Sequence, residues 1–335
     1  MCYSKKKGKK GNYKIKDNKK RININNNYKQ NKKMKQNKNH IIVLGKLQSG
    51  KSSIERILFS THLPNNKQNE TDNQIQFLGS HSLHFWDGTT AKEFTDHYTK
   101  LQKLPPSNQQ KKITALIYVF DATSITFEED IKQYREIIER LYSISPDTKI
   151  FALIHKIDVF DDEMKDYEYL QKEGKIILVS KPFKTMCYAT SIYDESLYTA
   201  WSNITYSLIP KISEVEKKLN IFCEFIQADE IVVYEASSLL VITYSSRNEI
   251  EESRRFENIS ISIKSFCHTC CQFKKAPFSS IKVELADKKM YFDSFTSNTY
   301  IMIVFSDPCL TFTNVETNVK AIKGKFEELL DVGNE

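Results

Sequence analysis

At 335 residues the chain is too long for one ordinary domain and suits two, because single hydrophobic cores rarely grow beyond about 250–300 residues. Its seven cysteines, an odd number spread from Cys2 to Cys309, exclude the dense disulfide framework of a small secreted domain. The sequence contains neither an apolar run of about 18 residues nor an apolar N-terminal segment, which predicts a cytosolic protein without a membrane span or a secretory signal.

The net charge of +7 is unevenly distributed. Residues 1–40 carry fifteen Lys/Arg and one acid, Asp17, so this segment has a charge of +14 and the rest of the chain −7. Residues 1–39 are mostly Lys, Asn, Gly, Gln and Tyr without a periodic apolar face, which predicts a disordered basic tail. Two interpretations stay open: a solvated extension, or a segment that touches anionic lipid or RNA. Its few tyrosines are too sparse for a base-stacking platform, and no DNA partner is expected.

Between residues 40 and 212, short apolar strands alternate with amphipathic helices, which is typical of a parallel-rich sheet with helices on both faces. The predicted strands are His40–Gly45, His81–Asp87, Thr114–Ala122, Lys149–Ile154 and Thr185–Ala189. Pro210 ends the last helix of this α/β region.

From residue 213 to residue 332 the order becomes helix, two strands, helix, two or three strands, helix, which predicts an α+β domain. The middle helix carries an apolar stripe of Phe256, Ile259, Ile263, Phe266 and Cys270. Cys270 belongs to a cluster at residues 267–271, CHTCC. We interpret it as a buried apolar residue and not a zinc ligand, because no second Cys/His pair lies at finger-like spacing.

Residues 45–52, GKLQSGKS, match the phosphate-binding pattern G-x-x-x-x-G-K-S/T directly after a strand and before a helix at Ser53–Phe59. In such a loop, backbone N–H groups and the positive end of the following helix point at phosphate oxygens. Lys51 is expected to reach the β- and γ-phosphates, and Ser52 to ligate Mg²⁺. The predicted nucleotide contacts of this segment are Leu47, Gln48, Ser49, Gly50, Lys51, Ser52 and Ser53.

Two further strand ends predict the remaining parts of the site. Asp87 ends an apolar strand at the carboxyl edge of the sheet, where it can hold Mg²⁺ directly or through water, or simply form a turn. His155-Lys156-Ile157-Asp158 stands where G proteins carry N-K-x-D. The Asp158 carboxylate can accept hydrogen bonds from the N1 and N2 donors of guanine. Ser191 and Ile192 can offer backbone donors to guanine O6, so the expected ligands are GTP or GDP with Mg²⁺.

With these pieces in order, the sequence resembles the Rag/Gtr GTPases, in particular the A/B (Gtr-one-like) branch, from about residue 40 to residue 330. The similar segments are GKLQSGKS at 45–52, LIYVFD at 116–121, KIFALIHKID at 149–158, TSIYDESLYTAWS from 190 with its continuation to LIP210, QADEIVVYEASSLLVI at 227–242 and FTSNTYIMIVFSDP at 295–308.

The resemblance implies a Ras-like P-loop G domain at 40–212 and a roadblock-type, longin-like dimerisation domain at 213–332. It further implies a heterodimer with a C/D-type Rag-like GTPase that signals amino-acid status to the TOR complex 1 kinase. The expected location is the cytosolic face of the lysosome or vacuole. There a separate scaffold complex tethers the family, so no direct membrane insertion is expected.

Two departures from the family pattern fall where G proteins hydrolyse GTP. The family reads W-D-C-G-G-Q where this chain has WDGTTA at 86–91. Thr90 therefore replaces the glycine whose N–H contacts the γ-phosphate, and Ala91 replaces the Gln that orients the attacking water. The first switch, between Phe59 and Phe77, is shorter than in the family. Thr71 is the expected Mg²⁺ ligand there, with Thr61 as the alternative.

The sequence thus predicts a GTP-binding switch or scaffold with weak or absent hydrolysis. One alternative is a competent GTPase in which His84, Thr89 or an activating protein positions the water. Another is a P-loop kinase or ATPase. The segment 94–112, where such an enzyme would carry a lid, has no Arg.

Overall fold

The computed structural model describes residues 39–59, 74–88, 90–103, 111–247, 255–272 and 280–330, without the side chains of 74, 255–257 and 267–272. Nearly all of the predicted basic tail, Thr61, Thr71 and Thr89 lie outside these ranges, as do the side chains of the cysteine cluster. Within the described ranges no helix has the length and apolarity needed to cross a membrane.

The first sheet has six strands in the order β2-β3-β1-β4-β5-β6. Strand β2 runs antiparallel to β3, and every other neighbouring pair is parallel. Parallel neighbours need crossover connections, which helices supply here. The strands are β1 Asn39–Gly45, β2 Gln74–Phe77, β3 His81–Phe85, β4 Lys112–Asp121, β5 Lys149–His155 and β6 Thr185–Thr190.

Five helices cover both faces of this sheet, as predicted. They are α1 Lys51–Phe59, α2 Ala91–Lys103, α3 Phe127–Ile144, α4 Asp162–Val179 and α5 Ser196–Leu208. Because strand side chains alternate, Ile41 packs in the core with α1 and α5, whereas Ile42 packs in the core with α2, α3 and α4. This arrangement brings the carboxyl ends of the parallel strands, and the loops that follow them, to one edge.

The second sheet is antiparallel, with the order β8-β7-β11-β10-β9. Helices α6 and α8 pack on one face, and Ile263 of α7 packs in the core on the other. This α+β region comprises α6 Ile212–Ile226, β7 Glu230–Glu235, β8 Val241–Ser246, α7 Arg255–Gln272, β9 Ser280–Glu284, β10 Lys289–Thr296, β11 Thr299–Phe305 and α8 Phe312–Leu330.

The two sheets share one apolar core. Trp201 of α5 packs edge-on against Phe59 and Phe77, with ring centroids 5.6 and 6.4 Å away, and the same cluster continues into α6 and α8. The predicted fold class is confirmed in both regions. The boundary predicted at residue 212 stays a prediction.

Two details differ from the sequence-based expectation. Strand β2 was not predicted, because four residues at a sheet edge give too short an alternation to recognise. The second difference concerns the apolar stripe of α7, because its member Phe266 is 53% exposed. A helical stripe predicts on which face of the helix a side chain lies, but it does not predict whether another element packs against that face.

Candidate functional site

The loop at residues 45–50 curls so tightly that two of its positions accept only glycine. A Cβ on Gly45 would lie 2.3 Å from the Val119 carbonyl oxygen, and one on Gly50 would lie 2.4 Å from the His155 ring. Both have positive φ, +155° and +104°, which side-chain-bearing residues rarely adopt. The loop therefore has the backbone geometry that its motif predicts, with β1 before it and α1 after it.

Lys51 points back into this loop. Its Nζ donates to the carbonyls of Gly45 and Lys46 at 2.8 and 2.9 Å, although the side chain is only 5% exposed. The same Nζ lies 3.1 Å from Asp87 Oδ1. A buried ammonium held at the mouth of a loop of backbone amides is suited to binding phosphate oxygens.

The end of β3 lies directly beside this loop. Trp86 donates its N–H to the Val43 carbonyl at 2.9 Å, and an isolated bridge joins Gly45 to Gly88. Asp87 keeps 75% of its side chain exposed, and Ser52 is also exposed. A carboxylate and a hydroxyl supply oxygen atoms that suit Mg²⁺. These two side chains therefore fit a magnesium site beside Lys51, in the region that we call the phosphate end.

Glu55 is an acid of this region that the sequence did not indicate. Burial raises the pKa of its carboxyl group, and the nearby Asp87 carboxylate raises it further. Glu55 lies on α1, one turn after Ser52, so this region holds a second carboxyl group besides Asp87. A cation bound there would relieve their repulsion.

The segment at 155–158 is tied to the phosphate-binding loop through Lys156. Its Nζ donates to the Gln48 carbonyl at 2.7 Å and to Asp121 Oδ2 at 2.5 Å. Burial raises the pKa of Asp121, but hydrogen bonds from Lys156 and Thr123 lower it overall. Asp121, at the end of β4, thus takes part in the site, and the sequence did not identify it. Asp158 follows two residues after Lys156 and is partly exposed.

His155 is a buried link between three segments. It is 2% exposed, its ring packs on Gly50, and its Nδ1 lies 3.0 Å from Thr190 Oγ1 at the end of β6. Burial lowers the pKa of His155 to about 4, although Asp158 raises it in part. At neutral pH the imidazole is therefore uncharged, and it serves as a spacer and hydrogen-bonding group.

The loop after β6 is held by its own side chains. The Ser191 N–H donates to Ser196 Oγ at 2.9 Å, and the Tyr193 N–H donates to Ser191 Oγ at 3.0 Å. Ser191 is fully buried. Its backbone N–H is already used within the loop, because it donates to Ser196. The predicted contacts of Ser191 and Ile192 with guanine O6 stay predictions.

The turn after Asp87 ends in a capping box. Thr90 donates its N–H and its hydroxyl to Glu93 Oε2 at 3.0 and 3.1 Å, and the Glu93 N–H donates to Thr90 Oγ1 at 3.2 Å. Ala91 begins α2 immediately afterwards. The pattern Thr-x-x-Glu at 90–93 was readable from the sequence as a helix start, but its place beside the phosphate end was not.

The structure thus gathers the predicted residues of the phosphate-binding loop, Asp87, Thr90 and the 155–158 segment at one sheet edge. His84, proposed as an alternative water-positioning group, lies away from this edge. It is 8% exposed, and its Nε2 is 2.9 Å from His40 Nδ1. Thr71, Thr61 and Thr89 lie outside the described residues.

Comparisons with known proteins agree with this geometry. The family model described as "Gtr1/RagA G protein conserved region" matches residues 40–263. The chain belongs to this family. It is 35% identical to Ras-related GTP-binding protein A of Dictyostelium discoideum over 300 residues, which cover 88% of this chain and 98% of that protein.

Other relatives come from both branches of the Rag proteins. This Gtr1/RagA family member is 32% identical to Ras-related GTP-binding protein B of Rattus norvegicus, over 87% of this chain and 86% of that protein. It is 27% identical to Ras-related GTP-binding protein C of Homo sapiens, over 62% of this chain and 54% of that protein. The prediction of an A/B-type Rag relative is confirmed.

Proposed function

We propose that the chain binds GTP and GDP together with Mg²⁺ and acts as a nucleotide-dependent switch or scaffold. The observation that carries the proposal is the position of Lys51, which is buried in the glycine-bounded loop and lies 3.1 Å from Asp87. Nucleotides supply the phosphate oxygens that such a loop accepts, and Ser52 and Asp87 would hold the cation. Mg²⁺ bound there would neutralise part of the charge of the β- and γ-phosphates.

Selection of guanine is assigned to Asp158. The preceding Lys156 bonds to Gln48 and Asp121, so the segment that carries Asp158 is held beside the phosphate-binding loop. A carboxylate accepts the two adjacent donors of guanine, whereas adenine has no such pair on that edge. The named relatives are GTP-binding proteins, which supports the same choice.

Weak or absent hydrolysis is the second part of the proposal. Ala91 has no group that could orient a water, and the Thr90 N–H is bonded to Glu93. Neutral water attacks a phosphoryl group slowly unless a side chain positions it. The identity of the bound nucleotide, and not its turnover, would then chiefly determine how the protein acts.

We further propose pairing with a C/D-type Rag-like GTPase through the second sheet. Strand β9 pairs with β10 and has no second neighbour among the described strands, so one of its edges is unpaired within the part of the chain that the structure describes. Beside it, Ile281, Met290 and Tyr300 are only partly buried on the face that carries α7. An open edge next to incompletely covered apolar side chains suits a partner of the same fold.

The cellular role extends this proposal by family membership. A Rag-type heterodimer would report amino-acid status to TOR complex 1 from the cytosolic face of the lysosome or vacuole, where a separate scaffold complex would hold it. The similarity to proteins named A, B and C of the Rag group supports this assignment.

Direct binding tests the central claim. Purified protein with Mg²⁺ should bind GTP and GDP, and excess ATP should not displace them. Lys51→Ala should weaken binding by about 100-fold or more, because charge-assisted hydrogen bonds to two phosphates are lost. Lys165→Ala removes an exposed lysine of α4 and should leave binding unchanged. Preference for ATP would instead favour a P-loop kinase or ATPase, and lack of binding to any nucleotide would end the proposal.

A further inference from the structure

Glu93 stands out because its carboxylate is folded back over the turn that faces the phosphate-binding loop. A Cβ built on Gly88 would lie 3.2 Å from Glu93 Cβ and 3.4 Å from its Oε2. Gly88 itself bridges to Gly45, the first residue of the phosphate-binding loop. The side chain therefore lies across the turn and does not extend away into solvent.

This carboxylate uses both donors of Thr90, its N–H and its hydroxyl, through the single oxygen Oε2. The neighbouring Asp87 pairs with Lys51, and Gly88 bridges to Gly45, so these two residues hold the start of the turn beside the phosphate-binding loop. In a P-loop G protein, the backbone N–H at the position of Thr90 is the donor that a γ-phosphate engages. A diphosphate has no group at that place.

We propose that Glu93 is a specificity-determining residue that lowers the affinity of the site for guanosine triphosphate relative to diphosphate. This inference rests on the proposed function, since it requires that the site binds both nucleotides. A γ-phosphate must displace the carboxylate from Thr90 or share the turn with a second negative charge. Both cost free energy that GDP binding does not.

Glu93 should lower the affinity for the triphosphate through its negative charge as well as through its hydrogen bonds. The Glu93→Gln variant would keep an acceptor of the same reach but carry no negative charge. The Glu93→Ala variant would leave the Thr90 N–H free for phosphate. Asp96, one turn later on α2, is an exposed acid whose replacement by Asn removes the same charge from the helix.

The test measures dissociation constants of full-length protein for GDP and for a non-hydrolysable GTP analogue, with Mg²⁺, by calorimetry. Glu93→Gln and Glu93→Ala should each improve the affinity for the triphosphate relative to GDP by about fivefold, as expected for an exposed like-charge contact. Asp96→Asn should leave that ratio unchanged. A thermal-unfolding measurement identifies any variant that fails to fold.

If both affinities change equally, or not at all, the ratio is unchanged in the two variants. That result would show that Glu93 only caps the helix, and it would overturn the inference while leaving nucleotide binding intact. If the unmodified protein bound neither nucleotide, the proposed function would fail and this inference with it. An improved ratio in Asp96→Asn of the same size would assign the effect to overall charge and also overturn the role of Glu93.

Discussion

The Nζ atom of Lys264, on α7, lies 3.0 Å from the carbonyl oxygen of Leu58 in the last turn of α1. The last carbonyls of a helix have no partner within the helix, and a cation satisfies them best. The same ammonium lies 4.9 Å from the centroid of the Tyr198 ring. A residue of the C-terminal region thus completes the helix that follows the phosphate-binding loop.

Replacing Lys264 by Met should destabilise the fold by about 1–3 kcal/mol, because a buried carbonyl loses its donor while the volume is kept. Lys264 is 6% exposed, and burial lowers its pKa to about 7 against an upward effect from Glu235. Denaturant unfolding measures the change. Lys320→Met, at a lysine that is 69% exposed, is the control and should alter stability by less than about 0.5 kcal/mol. Equal stability of Lys264→Met and the unmodified protein would contradict the structural role.

The sequence was sufficient to predict where the local parts of the candidate site lie, because their positions follow from spacing. The phosphate-binding loop, Asp87 and Asp158 each stand at a strand end that the apolar pattern already marks. The bond from Lys156 to the Gln48 carbonyl spans 108 residues and depends on which strands become neighbours. Periodicity predicts a strand but not its place in the sheet, so contacts between separate strand ends could not be read in advance.

The same limit applies to Lys264 and Glu235. From residue type alone, a Lys in a helix and a Glu in a strand are expected at the surface. Glu235 is buried because Ser237 and Ser238 donate four hydrogen bonds to it, and the Leu78 N–H adds a fifth. The two regions share a core, and only the three-dimensional arrangement shows which polar groups it encloses.

His155 should make the fold sensitive to mild acid. The folded pKa of about 4 lies below the ordinary 6.5, so the unfolded chain binds the proton more readily. The associated stability is complete above pH 6.5 and is lost as the pH falls towards 4, by about 3 kcal/mol. His155→Asn should reduce this loss, measured as unfolding free energy between pH 7 and about 4.5.

A second buried histidine must be considered when the acid sensitivity of the fold is assigned to His155. His81 is also buried with a pKa near 4, so part of the acid sensitivity should remain in His155→Asn. His81→Asn should remove this remaining part and leave the part that His155 contributes. Identical profiles for His155→Asn and the unmodified chain would show that His155 does not titrate in this range.

Asp158→Asn should exchange the base that the site selects. The variant loses a carboxylate that accepts two hydrogen bonds, which weakens GDP binding by about 10- to 100-fold. Xanthine carries an oxygen in place of the 2-amino group, and an amide can donate to it while accepting from N1. Xanthosine diphosphate should therefore bind Asp158→Asn more tightly than GDP does. Asp162→Asn, at a carboxylate that is 96% exposed, should keep the guanine preference.

Ile281→Lys should weaken association with a C/D-type partner, because it places a charge on the incompletely covered face beside the open strand edge. Lys288→Glu changes an exposed residue of the adjoining turn and serves as the control. Co-expressed proteins analysed by size-exclusion chromatography with light scattering give the result. Pairing that survives Ile281→Lys with unchanged affinity would place the dimer surface elsewhere.

Ala91→Gln should restore hydrolysis if the missing water-orienting amide limits the rate. Single-turnover hydrolysis of bound GTP should be at or below roughly 10⁻⁴ s⁻¹ in the unmodified chain and rise at least about tenfold in the variant. Ala91→Asn carries the same amide on a shorter side chain, which does not reach the water, and should stay slow. Adding Ser52→Ala to Ala91→Gln should remove the gain, since the cation loses its hydroxyl ligand. Equal rates in the Gln and Asn variants would contradict the limiting role of residue 91.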